Sequence, residues 1–227
     1  MDPVGQETTR DVLLLSLTAG SADALGYLSL GNVFTSNMTG NVVLLGIHLG
    51  QGEFELAARG VYVLSIFVLG LGLGAWLSRE LPEKKWPVLA FRLIGLEKIL
   101  LLLFGISWLF CVKTVGGIGS YLPLALLAVA MGLQSAAMFR LSAPGVGTTA
   151  VTGTLTALTS GLVALLSTTE GGGAGKTTPW IRFQLSVLFL YATGAALSGF
   201  CLMQGLREIG FLPVLAAAFV SFGRSGK

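Results

Sequence analysis

Long apolar runs alternate with short polar breaks along this chain, and the runs have the length of a bilayer crossing. A hydrocarbon core of about 30 Å needs roughly 20 apolar residues in a helix. Six runs approach that length, at about residues 11–30, 57–78, 88–112, 120–141, 183–203 and 208–222. The last has a short apolar centre, which a small tilt or local thinning of the bilayer accommodates. Two further runs, about 40–49 and 152–166, are shorter or more polar. Whether those two cross decides the topology.

Charge answers that question. With only the six long runs crossing and the N-terminus inside, Arg10, Arg79, Lys84, Lys85, Arg92, Arg140, Lys176, Arg182, Arg224 and Lys227 fall inside. Arg59, Lys113 and Arg207 fall outside, and Lys98 lies within a span. Ten against three is a strong positive-inside bias. If the short runs also cross, the split becomes six against seven or reverses. The short runs therefore read as half-helices or re-entrant segments that begin and end on one side, with both termini cytoplasmic. An eight-span chain is the alternative.

Composition agrees with a lipid-solvated fold. Hydrophobic residues make up 53% of the 227 and charged residues 11%, with mean hydropathy +0.81. A soluble domain carries about 25% charged residues. The net charge of +3 suits basic loops facing anionic lipid, and no Lys/Arg cluster is dense enough for nucleic acid. Cys111 and Cys201 both sit in apolar runs and read as buried free thiols. Residues 1–10 are polar, the run after them has spanning length, and no small-residue cleavage site follows, so no cleavable signal peptide is expected. Trp76, Trp86, Trp108 and Tyr121 fall near span ends, as an aromatic belt would.

An internal repeat divides the chain. TSNMTGNVVLL at 35–45 matches TTAVTGTLTAL at 148–158 without a gap, at a constant offset of 113 residues. Val33, Thr35, Thr39, Gly40 and Leu45 meet Val146, Thr148, Thr152, Gly153 and Leu158. Each copy follows a run that breaks at Gly31-Asn32 or Pro144-Gly145, and two more spans follow each. The expected architecture is one all-α, polytopic transmembrane domain of six helices in two three-helix repeats, about 11–112 and 120–223, each with a broken or re-entrant half-helix. An odd span count per repeat inverts the second half, a common plan of secondary transporters.

The segments AGSADALGYL at 19–28, GNVFTSNMTGN at 31–41, MGLQSAAM at 131–138 and GVGTTAVTGT at 145–154 together resemble the YoaK-like family of uncharacterised bacterial and fungal membrane proteins. The resemblance covers essentially the whole chain. It implies a six-span integral membrane protein and carries no settled activity. The glycine-rich stretch at 171–175 looks like a private insertion.

Asp23 is the sharpest chemical signal. It lies about 18 Å into the first run, where a carboxylate costs about 2.5–3.5 kcal/mol on insertion scales. Gly20, Ser21, Ala22, Ala24 and Gly26 leave room around it for packing, water or an ion. It reads as a proton- or cation-coupling group, or as a structural hydrogen-bond acceptor for the half-helix. Asn37 or Thr39 would cap the first half-helix, Gly40 would allow close backbone approach, and Asn41 completes the motif. Thr148, Thr149, Thr152 and Gly153 would play the same part from the other half. Together with Gln134, these residues form the expected substrate or ion site. Capping and packing alone are the competing account, because unwound backbone must be satisfied inside a membrane.

Glu97 is an accessory candidate. It does not face its neighbour Lys98, since adjacent helical residues point about 100° apart. His48 reads as interfacial. Gly70, Gly72 and Gly74 form a small-residue face for packing within the chain or against a second copy. GGGAGKT at 171–177 is not a phosphate loop, because Glu170 stands where its first glycine belongs and no strand precedes it. No metal-ligand spacing or nucleophile–base pair is visible, and a single His makes triad chemistry a poor fit. The function expected is a small secondary transporter or channel-like carrier of a small solute or ion in the plasma membrane, with a homodimer as its expected assembly. No enzyme activity, cofactor or metal is expected. A scaffold, assembly or lipid-binding protein is the alternative.

Overall fold

The computed structural model describes residues 6–79, 86–112, 116–141, 147–149, 151–167 and 174–220. The α-helices in order are α1 (Gln6–Ser29), α2 (Met38–Gln51), α3 (Phe54–Ser78), α4 (Trp86–Cys111), α5 (Tyr121–Leu141), α6 (Val151–Ser167), α7 (Ala174–Met203) and α8 (Leu212–Ala218). Short 3-10 turns at Ile118–Ser120 and Arg207–Phe211 lead into α5 and α8. Among the described residues there is no strand. The last two residues of the 171–175 stretch open α7, and the first three lie outside the described residues.

Five helices are long and apolar enough to cross a membrane, within α1, α3, α4, α5 and α7. The sixth run departs from expectation. It folds as the 3-10 turn at Arg207–Phe211 followed by seven residues of α8. Two residues explain the break. Pro213 lies in the first turn of α8 and lacks the N–H that would extend a helix back through it. Gly210 packs so closely on the Trp108 indole that an added side chain would collide. The shorter runs form α2, of 14 residues, and α6, of 17. At 1.5 Å per residue these reach about 21 and 26 Å, short of the bilayer core.

Helices pair across the two sequence halves. α1 lies along α7, and α3 lies along α5. Both pairs run parallel. Gly194 rests on the Leu17 carbonyl while Ser21 bonds Ser198 at 2.7 Å, and Gly132 rests on Phe67 while Gly74 meets Ala136. Four glycines make these crossings: Gly20 against Tyr191 and Gly194 against Leu17 in one, Gly70 against Val129 and Gly132 against Phe67 in the other. At each the facing backbone occupies the place of a side chain, so the helices approach to backbone contact. Gly72, by contrast, has nothing within 4 Å. Within each half, α2 folds back on α3 and α6 on α7.

α1 and α5 are the most enclosed spans. Their inner faces, including Ala19, Ala22, Leu127 and Met131, join Leu101, Phe104 and Trp108 of α4 in the core. Val68, Leu69, Phe110 and Phe189 project outward and are mostly exposed, a surface suited to lipid. Trp108 corrects one expectation. It is buried at 2% exposure and donates from Nε1 to the Arg207 carbonyl at 2.9 Å, so it is core and not belt. Trp76 does project outward, with the Arg79 guanidinium over its ring. The Trp86 side chain lies outside the described residues. Tyr121 is half-buried beneath the Arg59 guanidinium. Cys111 and Cys201 are free and half-buried.

Candidate functional site

The site begins where α1 stops. Gly31 and Asn32 both adopt the left-handed region, at φ +112° and +57°, which ends the helix and reverses the chain. The returning segment runs back along α1 because Gly26 has no side chain, and an added Cβ would come within 2.7 Å of the Val33 carbonyl oxygen. That return brings residues 35 and 36 level with Asp23, six residues or roughly 9 Å before the end of α1.

Asp23 holds the returning segment. Its Oδ1 accepts from the backbone N–H of Thr35 at 2.7 Å and of Ser36 at 2.6 Å. Its Oδ2 accepts from the Ser36 hydroxyl at 2.7 Å and from the Tyr191 hydroxyl of α7. These four donors, with a longer fifth from the Thr35 hydroxyl to Oδ1 at 3.4 Å, fill the lone-pair sites of an ionised carboxylate. One buried carboxylate thus ties together α1, the entry to α2, and α7. Asn41 makes a second bracket: its Oδ1 accepts from Phe34 N–H at 2.8 Å while its Nδ2 donates to the Phe34 carbonyl at 2.6 Å. Asn37 caps α2, accepting from Gly40 N–H at 3.1 Å.

The entry to α6 has the same plan with different chemistry. Thr154 accepts from Gly147 N–H at 3.2 Å and donates back to its carbonyl at 3.4 Å, so it repeats the Asn41 bracket at the 113-residue offset. Gln134 donates to the Thr148 hydroxyl at 2.7 Å and to the Leu15 carbonyl at 3.0 Å. Ser135 and Thr149 share a hydrogen bond of 2.9 Å. Thr148 and Thr149 stand at the offset from Thr35 and Ser36, and the tie that Asp23 makes in the first half is made here by an amide and a hydroxyl.

A cavity of about 450 Å³ opens between the starts of α2 and α6. From the first half, Ser36, Asn37, Met38 and Thr39 line it, with Phe67 of α3. From the second half come Ser135, Thr149, Val151 and Thr152, with Tyr191 of α7. Of the expected site residues, Asn37, Thr39, Thr149 and Thr152 therefore meet at one cavity. Asp23 stands one layer behind it, in contact through Ser36 and Tyr191. Gln134 and Thr148 are buried behind the second wall, and Asn41 brackets backbone. Gly40 is crowded by Phe34 and Asn37, whereas Gly153 has nothing within 4 Å and serves no close approach.

Glu97 lies elsewhere. It is fully buried on the α4 stripe with Leu93, Ile94, Leu101 and Phe104, and neither carboxyl oxygen has a hydrogen-bond partner. His48 sits at the end of α2 and pairs with Glu53 at 2.7 Å. Ser36, Met38, Phe67, Ser135, Val151 and Tyr191 also line the cavity and were not among the expected site residues. Ser36 and Ser135 were legible as hydroxyls beside chosen residues. Tyr191 and Phe67 had no local signal, because they reach the cavity only by helix packing.

These features define a polytopic α-helical membrane protein with a polar cavity between two short helices. The chain belongs to the family described as "Protein of unknown function (DUF1275)", whose pattern matches residues 12–222. It is 34% identical over 146 residues to the UPF0700 transmembrane protein YoaK of Bacillus subtilis (strain 168), a match covering 64% of this chain and 63% of that relative. Both findings bear out the resemblance read from the motifs. No solved structure matches.

Proposed function

We propose that this chain is a small secondary transporter, built as two inverted halves whose broken helices form a solute site at their meeting point. The observation that carries the reading is the cavity walled by both half-helix starts. Three others support it. The helix pairing is exchanged between halves, α1 with α7 and α5 with α3. The brackets of Asn41 and Thr154 recur at the repeat offset. The charges also sort by end: Arg59 and Arg207 lie beside the loops that join α1 to α2 and α4 to α5, whereas Arg10 reaches Phe219 at the opposite end. In this reading α2 and α6 are re-entrant, and α8 with its preceding turn completes a sixth, thinner crossing.

Asp23 is the coupling group of this carrier. Its charge is answered by the hydroxyls of Ser36 and Tyr191, and both of those residues also line the cavity. Adding a proton to Asp23 removes the acceptor that holds them and frees them to turn toward a solute. The test is uptake by the purified protein in liposomes under an imposed proton gradient across a broad solute panel. Gradient-driven uptake that Asp23→Asn abolishes is the expected outcome. Absence of uptake for every solute would overturn the reading.

A scaffold or lipid-binding role is the second reading, favoured by one observation: Asp23 is fully hydrogen-bonded and does not itself line the cavity. It predicts that Asp23→Asn alters stability and nothing else.

A further inference from the structure

We propose that the cavity binds an uncharged, multiply hydroxylated solute of about monosaccharide size. This deepens the transport reading, although binding itself requires no movement across the membrane.

Among the described residues, no Lys, Arg, His, Asp or Glu is part of the cavity wall. A charge removed from water needs a partner of opposite sign, and none is offered. The nearby carboxylate of Asp23 disfavours an anion. It gives a cation little in return, because its lone pairs are filled by five protein donors and Ser36 and Tyr191 stand in front of it.

The wall is nonetheless rich in neutral polar groups, and part of that capacity is unused. The hydroxyls of Ser36, Ser135 and Thr149 are engaged within the protein. Asn37 Oδ1 is engaged as a helix cap, but its Nδ2 makes no hydrogen bond. Thr39 and Thr152 occupy equivalent repeat positions on opposite walls, and their hydroxyls make none either. Those hydroxyls can each donate and accept, which suits a solute that is itself made of hydroxyls. The Phe67 and Tyr191 rings, with Met38 and Val151, supply apolar surface. A sugar ring presents both faces, polar at its edge and C–H on its flat side, and binding sites mix these chemistries. The volume holds on the order of fifteen water molecules at about 30 Å³ each, room for a hexose with a few waters.

The test is thermal unfolding of the full-length chain in detergent with three matched probes: glucose as the neutral solute, gluconate as its anionic counterpart and glucosamine as the cationic one. Glucose at ten times its Kd is expected to raise the midpoint by about 3–6 °C, with no rise from the two charged probes. Thr39→Val with Thr152→Val is expected to remove that rise while leaving the ligand-free midpoint within about 2 °C. A larger rise with gluconate or glucosamine than with glucose overturns the proposal. So does no rise with glucose, xylitol and ribose alike, or a glucose shift that survives the double valine variant. Liposome uptake separates the two levels: a glucose shift without uptake sinks the transport reading alone, and gradient-driven uptake of a charged solute alone sinks the substrate class.

Discussion

Asp23→Ala is the sharpest single perturbation of this fold. The carboxylate accepts from two buried backbone N–H groups, Thr35 and Ser36, and from three hydroxyls, Ser36, Tyr191 and, at a longer 3.4 Å, Thr35. The hydroxyls can rotate to other acceptors, but the backbone donors cannot move without undoing the turn that starts α2. Leaving a buried donor unsatisfied costs about 1–3 kcal/mol, so the two amides set the loss at about 2–6 kcal/mol. Asp23→Asn should cost less. Its carbonyl oxygen still serves both amides, and its NH2 can donate to Ser36 and Tyr191 once their hydroxyls turn. What remains is the loss of charge assistance, about 1–2 kcal/mol. Tyr191→Phe removes one donor and should cost about 1 kcal/mol, with strong non-additivity in the Asp23→Ala background because the partner is already gone. The assay is reversible unfolding in mixed micelles with increasing denaturing detergent, followed by tryptophan fluorescence. An Asp23→Ala variant within about 0.5 kcal/mol of the parent would refute the claim that this carboxylate holds the re-entry of the chain.

Other expectations follow from the same geometry. Gly132→Val and Gly194→Val each place a side chain on facing backbone and should destabilise by about 1–3 kcal/mol or more, whereas Gly72→Val, with nothing within 4 Å, should shift the same unfolding curve by less than about 0.5 kcal/mol. Asn41→Ala and Thr154→Ala remove equivalent brackets and should each cost about 1–2 kcal/mol; a large effect at one and none at the other would undercut their equivalence. Arg59→Met should cost about 2–4 kcal/mol, because it strands the Leu30 and Gly116 carbonyls that the guanidinium serves. With Cys111 and Cys201 replaced by Ala, single cysteines at Glu53, Arg79, Arg140 and Thr177 should label with an impermeant maleimide from opposite sides, Glu53 outside and the other three inside; a Thr177 site labelled opposite to Arg140 would mean that α6 crosses fully.

Much of the architecture was legible along the chain. Lipid solvation follows from apolar content alone, because 11% charged residues cannot dress a water-facing surface. Five spans and the two shorter helices, α2 and α6, follow from run length. The 113-residue offset marked both places where the helices break. Asn37, Thr39, Thr149 and Thr152 were legible as cavity residues because each half-helix start carries its polar groups in consecutive positions. Run length did not show that the segment after α7 forms a 3-10 turn and a seven-residue helix, since hydropathy does not register Pro213 or the contact of Gly210 with Trp108.

What the sequence by itself determined was the inventory: which segments are apolar, where they break, and which polar groups lie at the breaks. What only the tertiary structure decided was partnership. Asp23 reads from sequence as a coupling group or a structural acceptor, and only the packed structure supplies its donors, from Thr35, Ser36 and Tyr191, the last 168 residues away. Trp108 looked interfacial, yet it is buried beneath Arg207. Tyr191 and Phe67 carried no motif at all. Local periodicity fixes which face a residue takes on its own helix, but the neighbour across that face depends on which helices meet. Here that is set by four glycines, Gly20, Gly70, Gly132 and Gly194, whose missing side chains let the halves exchange partners at backbone contact.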